Sequence, residues 1–283
     1  MYKAIPRYTF KIMLSRYAIT EKAVGETPLE VLEKLRTKHG IQAEVPLAYA
    51  GRLDPMASGK LLILIGKECK VQEKYHNLDK EYQFEVLLGV QSDTADVLGI
   101  ISGCSAKRIS ITDITHIPKR LRGEIELPYP HFSSKTVSGK PLHTWALEGR
   151  LEEIVIPTKK STIYSLTLKN LRAIPKEEVY KTATAKIETI PKVTDLRKAI
   201  GNDFRRKDVR KSWKQWLDSD TELEFQIATF SCIASSGSYM RTLAEVIARE
   251  LGTCGLAYSI HRTKIGRYTQ LPFNVGYWQK TFN

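Results

Sequence analysis

The longest uninterrupted apolar run in the chain, Leu61 to Gly66, is six residues long and is flanked by Lys60 and Lys67. A helix needs about twenty apolar residues to cross hydrocarbon, so this run excludes a membrane-spanning helix and reads instead as a short apolar strand. With 283 residues and 42% hydrophobic content, the chain has enough apolar material for a real core in one or two domains. Its charge is strongly basic, +13, with an isoelectric point near 9.5. Lys3, Arg7, Lys11 and Arg16 fall in the first twenty residues without a long apolar core or a small-residue cleavage site. That favours a short basic arm over a secretory signal, with an organellar transit peptide as the alternative.

Cys69, Cys104, Cys232 and Cys254 are far apart, and neither they nor the six histidines adopt metal-ligand spacing. The expectation is a reduced, cytoplasmic protein without zinc or any other metal.

Thr27-Pro28 followed by Leu29, Val31, Leu32 and Leu35, then Gly40, predicts a capped amphipathic helix. Tyr82, Phe84, Val86 and Leu88 recur at strand period from Lys80 to Gly89, as do Tyr164, Leu166 and Leu168, and Leu223, Phe225 and Ile227. A second helix is expected after Gly237, with Ser238 as N-cap, an apolar face of Leu243, Val246, Ile247 and Leu251, and Gly252 as its stop. Strands mixed with helices in this way predict an α+β, or mixed α/β, fold. Residues Lys181 to Asp220 interrupt two strand patterns. Between Arg197 and Lys214 this stretch holds Arg197, Lys198, Arg205, Arg206, Lys207, Arg210, Lys211 and Lys214 against only Asp203 and Asp208, with Trp213 and Trp216 nearby. This predicts a basic helical insertion that is either a solvated face or an RNA-facing surface.

The sharpest local signal is Gly51-Arg52-Leu53-Asp54-Pro55-Met56-Ala57-Ser58-Gly59, a glycine-bracketed turn that holds a carboxylate just before the apolar strand. By spacing alone it is an Asp-Pro turn. Through Lys70 it resembles the G-x-L-D-P-x-A-[ST]-G motif of the TruB family of tRNA pseudouridine synthases. Other blocks of that family are matched in order. Glu21 to Thr27 resembles K-P-x-G-x-T, Lys80-Glu81-Tyr82 with Gly89 to Gly99 resembles the K-x-Y strand and T-D-T-x-D-x-x-G turn, and Pro130 to Gly149 resembles P-x-x-S-A-x-K-x-x-G-K. Ser236 to Leu243 is similar to G-T-Y-[IM]-R-[ST]-L, and Arg262 to Gly266 to R-[RT]-x-x-G.

The resemblance implies a single catalytic domain over residues 1–283, a central and largely antiparallel sheet flanked by helices, a 181–220 insertion, and no C-terminal PUA-type domain. It implies isomerisation of uridine to pseudouridine, most simply at position 55 of the tRNA T-loop, by a monomer that needs no cofactor. Asp54 is then the nucleophile and Arg241, early in the second helix, its partner. Tyr82 is expected to stack on the flipped uracil and to assist proton transfer, with Lys80 on the same strand face. Lys22, Tyr49, Arg52, Lys135, Lys140 and Ile260 complete the expected pocket and RNA contacts. Tyr49, Ala23 and His143 depart from residues common in the family, which predicts altered RNA contacts with intact chemistry. The rival readings are a non-catalytic RNA-binding or RNA-folding protein, and a synthase acting on another RNA.

Overall fold

The computed structural model describes residues 16–104, 107–193, 201–220, 222–272 and 275–282. Lys3, Arg7 and Lys11 of the expected basic arm, and Arg197 and Lys198 of the expected insertion, lie outside the described residues. Nine strands form one sheet among the described residues: β1 (Tyr17–Lys22), β2 (Leu47–Ala50), β3 (Ala57–Ile65), β4 (Asp79–Leu88), β5 (Gly123–Pro128), β6 (Thr158–Pro175), β7 (Glu224–Ala234), β8 (Gly255–Gln270) and β9 (Gly276–Phe282). Their order is β1-β3-β8-β4-β7-β6-β5, with β2 on β3 and β9 on β8. Every pair is antiparallel except β3 with β8, which run parallel through Ile260–Ala57, His261–Ser58 and Arg262–Gly59. The predicted mixed, mainly antiparallel architecture is therefore the observed one.

The apolar run of β3 is continuous because both of its faces are covered. Leu61 and Ile63 pack with Val31, Leu32 and Leu35 of helix α1 (Pro28–Lys38), while Leu62 and Leu64 pack with Ala50, Leu78, Ile265 and Phe282. Helix α1 starts where predicted. Thr27 Oγ1 accepts from the Glu30 amide at 3.2 Å and Glu30 accepts from the Thr27 amide at 2.7 Å, so two otherwise orphaned donors are satisfied. Gly59, at φ +109°, lets β3 lie against β8, since a Cβ there would come within 2.3 Å of the Arg262 carbonyl oxygen.

Helices α2 (Lys176–Thr189), α3 (Arg206–Leu217) and α4 (Met240–Glu250) join the larger core that contains Phe84, Val86, Phe230, Leu243 and Ile247. Three expectations are corrected here. Ser238 does not cap α4; Tyr239 occupies the N-cap, and the Ser238 hydroxyl instead donates back to the Ser235 carbonyl at 3.0 Å, closing the preceding turn. Trp213 and Trp216 are not an RNA-facing pair. Trp213 is fully buried and donates from its indole to the Val97 carbonyl at 3.0 Å, and Trp216 packs on Trp213 and Phe225, so helical periodicity turns both inward while Lys207 and Lys211 face solvent. The cysteines are not all free: the fold brings Cys104 and Cys254, 150 residues apart, to a Cα separation of 6.3 Å as a disulfide, leaving Cys69 and Cys232 as thiols. Among the described residues no helix is long and apolar enough to cross a membrane.

Candidate active site

The turn between β2 and β3 carries Asp54 into a cavity of about 790 Å³ that is also lined by Tyr82, Arg241 and Ile260. Arg241 Nε donates to Asp54 Oδ2 at 2.8 Å across 187 residues of chain. The same guanidinium donates to the carbonyls of Thr94 at 2.9 Å and Phe132 at 3.3 Å, and Asp96 Oδ2 lies 3.8 Å from its Nε. A buried cation in the first turn of α4 faces the positive end of the helix dipole, so it needs these acceptors. Burial works against the Arg241 charge, but Asp54 and Asp96 outweigh it and hold its pKa above the ordinary value.

Asp96 is itself almost wholly enclosed. Its carboxylate accepts from Thr94 Oγ1 at 2.7 Å and the Leu98 amide at 2.9 Å, and burial raises its pKa against the pull of Arg241. Tyr82 rises from β4 with its ring buried, and burial raises its pKa while neighbouring Arg262 opposes the shift. The hydroxyl therefore rests as a neutral phenol near neutral pH. Lys80 shares its strand face and lines the same cavity, but its ammonium is buried, turned to the Leu78 carbonyl, and lowered in pKa to about 8 by burial.

Two buried cations grip the Asp54 turn by its backbone. Arg262, 1% exposed, donates to the carbonyls of Lys60 at 2.7 Å, Arg52 at 3.2 Å and Gly51 at 3.2 Å. Lys22 donates to the carbonyls of Ala23 at 2.9 Å, Pro55 at 3.4 Å and Ala57 at 2.6 Å, and burial lowers its pKa to about 8. Lys22 thus stands behind the turn rather than in the cavity wall where sequence reasoning put it, because three carbonyls satisfy its ammonium there.

Tyr49, Arg52 and Ile260 do line the cavity, and Arg52 Nη1 donates to Ser134 Oγ at 3.1 Å across its rim. Lys135 and Lys140 are not brought to it. Lys135 lies over the Tyr129 ring, and Lys140 pairs with Glu148 above the Trp145 ring. Sequence reasoning missed Asp96, Arg262, and the contribution of Phe132 through its carbonyl. The matched turn and the closing R-T-x-x-G block contained the first two, but nothing local distinguishes a gripping arginine from a surface one.

Residues 38–189 match the family described as TruB family pseudouridylate synthase (N terminal domain). The chain is 28% identical over 248 residues to tRNA pseudouridine synthase B of Caldicellulosiruptor saccharolyticus, covering 88% of this chain and 66% of that protein. It is 26% identical over 247 residues to the Aquifex aeolicus protein of the same name, covering 87% of this chain and 67% of that one. Against tRNA pseudouridine synthase 4 of Saccharomyces cerevisiae the identity is 27% over 235 residues, covering 74% and 58%. The chain thus spans between 58% and 67% of the length of these three relatives. A crystal structure of a Cbf5-Nop10-Gar1 complex shares the fold, with a TM-score of 0.51 at 15% identity, covering 88% of this chain and 48% of that one. The family match takes in more than half of the chain, including Asp54, Tyr82 and Asp96, and the chain belongs to the TruB family of pseudouridylate synthases.

Proposed function

We propose that the protein isomerises uridine to pseudouridine in tRNA, at position 55 of the T-loop, with Asp54 as nucleophile, acting as a cytoplasmic monomer. The observation that carries this reading is the Arg241–Asp54 pair on the wall of a cavity that also presents Tyr82 and Ile260. The net reaction breaks the bond from ribose C1′ to uracil N1 and makes one from C1′ to C5, with the C5 proton moving to solvent and N1 gaining one. It oxidises nothing and transfers nothing out of the molecule. What it needs is an enclosed space for an extruded base, a carboxylate beside it, and a flat surface to hold the ring.

Each has a counterpart here. Arg241 spends its donors on Asp54, Thr94 and Phe132, so the carboxylate is oriented before RNA arrives. Tyr82, neutral and buried, offers a ring face for stacking. Ile260 closes the apolar side, placed by its pairing with Ala57 beside the Asp54 turn. The basic charge of the chain supplies attraction for phosphate, which makes binding salt-dependent.

Pseudouridine mapped at single-nucleotide resolution in an unmodified tRNA transcript, with wild type and Asp54→Asn in parallel, tests the proposal. Product at position 55 that vanishes in the variant, with tRNA binding retained, is the expected result. Product at another uridine would keep the chemistry and overturn the substrate. Binding without product in the wild type would overturn the enzyme reading in favour of a non-catalytic RNA-binding protein.

A further inference from the structure

The cavity extends beyond the residues that this chemistry uses. Ile187, Ile190, Phe204, Arg205 and Val209 form part of its wall, and all of them come from the insertion, to which the proposed function assigns no step. Asp203, Phe204 and Arg205 have φ of +57°, +55° and +57°. Three consecutive residues with side chains in the left-handed region carry a steric penalty, and such a turn persists where surrounding contacts hold it in place.

Arg205 and Arg206 make those contacts. Arg206 donates to the carbonyls of Ile187 at 2.6 Å and Ile190 at 2.8 Å, tying the turn to the end of α2. Arg205 reaches the other way. Its guanidinium forks onto the Asp93 carboxylate, Nη1 to Oδ2 and Nη2 to Oδ1 at 3.3 Å, and lies 4.2 Å from the centroid of the Phe132 ring. The Asp93 carboxylate also accepts from the Ile100 amide at 2.9 Å, so it belongs to a closed turn rather than a free tip.

Asp93 adjoins Thr94, and the carbonyls of Thr94 and Phe132 are two of the acceptors that orient Arg241. Two guanidinium groups therefore hold the same pair of segments, Arg241 from the Asp54 side and Arg205 from the insertion. We propose that Arg205 is a positioning residue for the catalytic pair: by clamping the Asp93–Thr94 turn against Phe132 it fixes the carbonyls that aim Arg241, and through Arg241 it aims Asp54. The insertion is on this account part of the catalytic apparatus and not an outlying grip on RNA. The kinetic consequence rests on the pseudouridine synthase reading; the clamp itself does not. A planar fork is needed to pair with a carboxylate and stack on a ring together, so lysine is a poor replacement.

The test compares wild type, Arg205→Ala, Arg205→Lys, Asp93→Asn and the Arg205→Ala/Asp93→Asn double variant by single-turnover pseudouridine formation, transcript binding and amide hydrogen exchange. A displacement of the order of an ångström at the catalytic pair is expected to slow Arg205→Ala about tenfold or more. Transcript affinity should change by less than about twofold, lysine should restore little, and the double variant should be no slower than the worse single one. Exchange should rise across 93–99 and 130–135. Weakened binding with a shallower salt dependence and an unchanged rate would overturn the proposal by making Arg205 an RNA contact. Unchanged rate and exchange in folded Arg205→Ala and Asp93→Asn would also overturn it. If wild type forms no pseudouridine in any transcript, the functional reading fails separately, and exchange still decides the clamp, with unaltered protection in both single variants refuting it.

Discussion

Replacing Arg262 by methionine keeps most of the side-chain volume and removes every donor. Three carbonyls, those of Gly51, Arg52 and Lys60, then lose their partner in a region where Arg262 is almost completely enclosed. These hydrogen bonds are part-buried and made to a charged donor, each worth about 1.5 kcal/mol, and relaxation of the turn or water recovers part of the total, so the expected loss is about 3 kcal/mol. For a chain of this size that lowers the thermal midpoint by roughly 10 °C. The same change frees the backbone ahead of Asp54 while Lys22 still holds Pro55 and Ala57, so the turn pivots rather than unfolds. Turnover should fall about 100-fold even below the new midpoint, because misplacement by an ångström suffices. Arg262→Lys should recover part of the stability, since an ammonium reaches one or two of the three carbonyls, but less of the rate. Thermal unfolding by circular dichroism and single-turnover pseudouridine formation read the two effects. A methionine variant with an unchanged midpoint and rate would refute the argument that these hydrogen bonds hold the turn.

Asp96→Asn keeps an oxygen for the Thr94 hydroxyl and Leu98 amide but removes a carboxylate 3.8 Å from Arg241, so it should fold normally and slow pseudouridine formation by about tenfold; a wild-type single-turnover rate would count against a role for Asp96 in aiming Arg241. Burial lowers the pKa of Lys80 from 10.5 to about 8, so between those pH values the unfolded chain binds the extra proton, and the Lys80 contribution to stability rises with pH. The penalty for burying its charge is fully present below about pH 8, and Lys80→Met should show a smaller gain in unfolding free energy than wild type between about pH 7.5 and about pH 9.5; equal gains in urea titrations would refute this. Denatured, unreduced protein should yield two titratable thiols, from Cys69 and Cys232, rising to four after reduction, whereas four before reduction would refute the Cys104–Cys254 bond.

Much of this protein was written locally. The Thr27–Glu30 capping box, the alternation through β4 and the glycine-bracketed turn around Asp54 depend on contacts within a few residues, and each lies where periodicity and turn chemistry put it. The resemblance to a family added the Asp54–Arg241 pairing, which no local rule supplies across 187 residues. What only tertiary structure decided is where long polar side chains end. An arginine looks the same in sequence whether it reaches solvent, as many do, or buries its guanidinium among carbonyls, as Arg262 does. The same holds for the insertion. Its charge run left a solvated face and an RNA-facing surface equally open, and within it Trp213 and Trp216 join the core, Arg206 caps the end of α2, and Arg205 reaches Asp93 and Phe132. Helix and strand formation are set by neighbours along the chain, but the partner of a buried charge is set by which distant backbone oxygens the sheet brings within its reach, and that is a property of the folded chain alone.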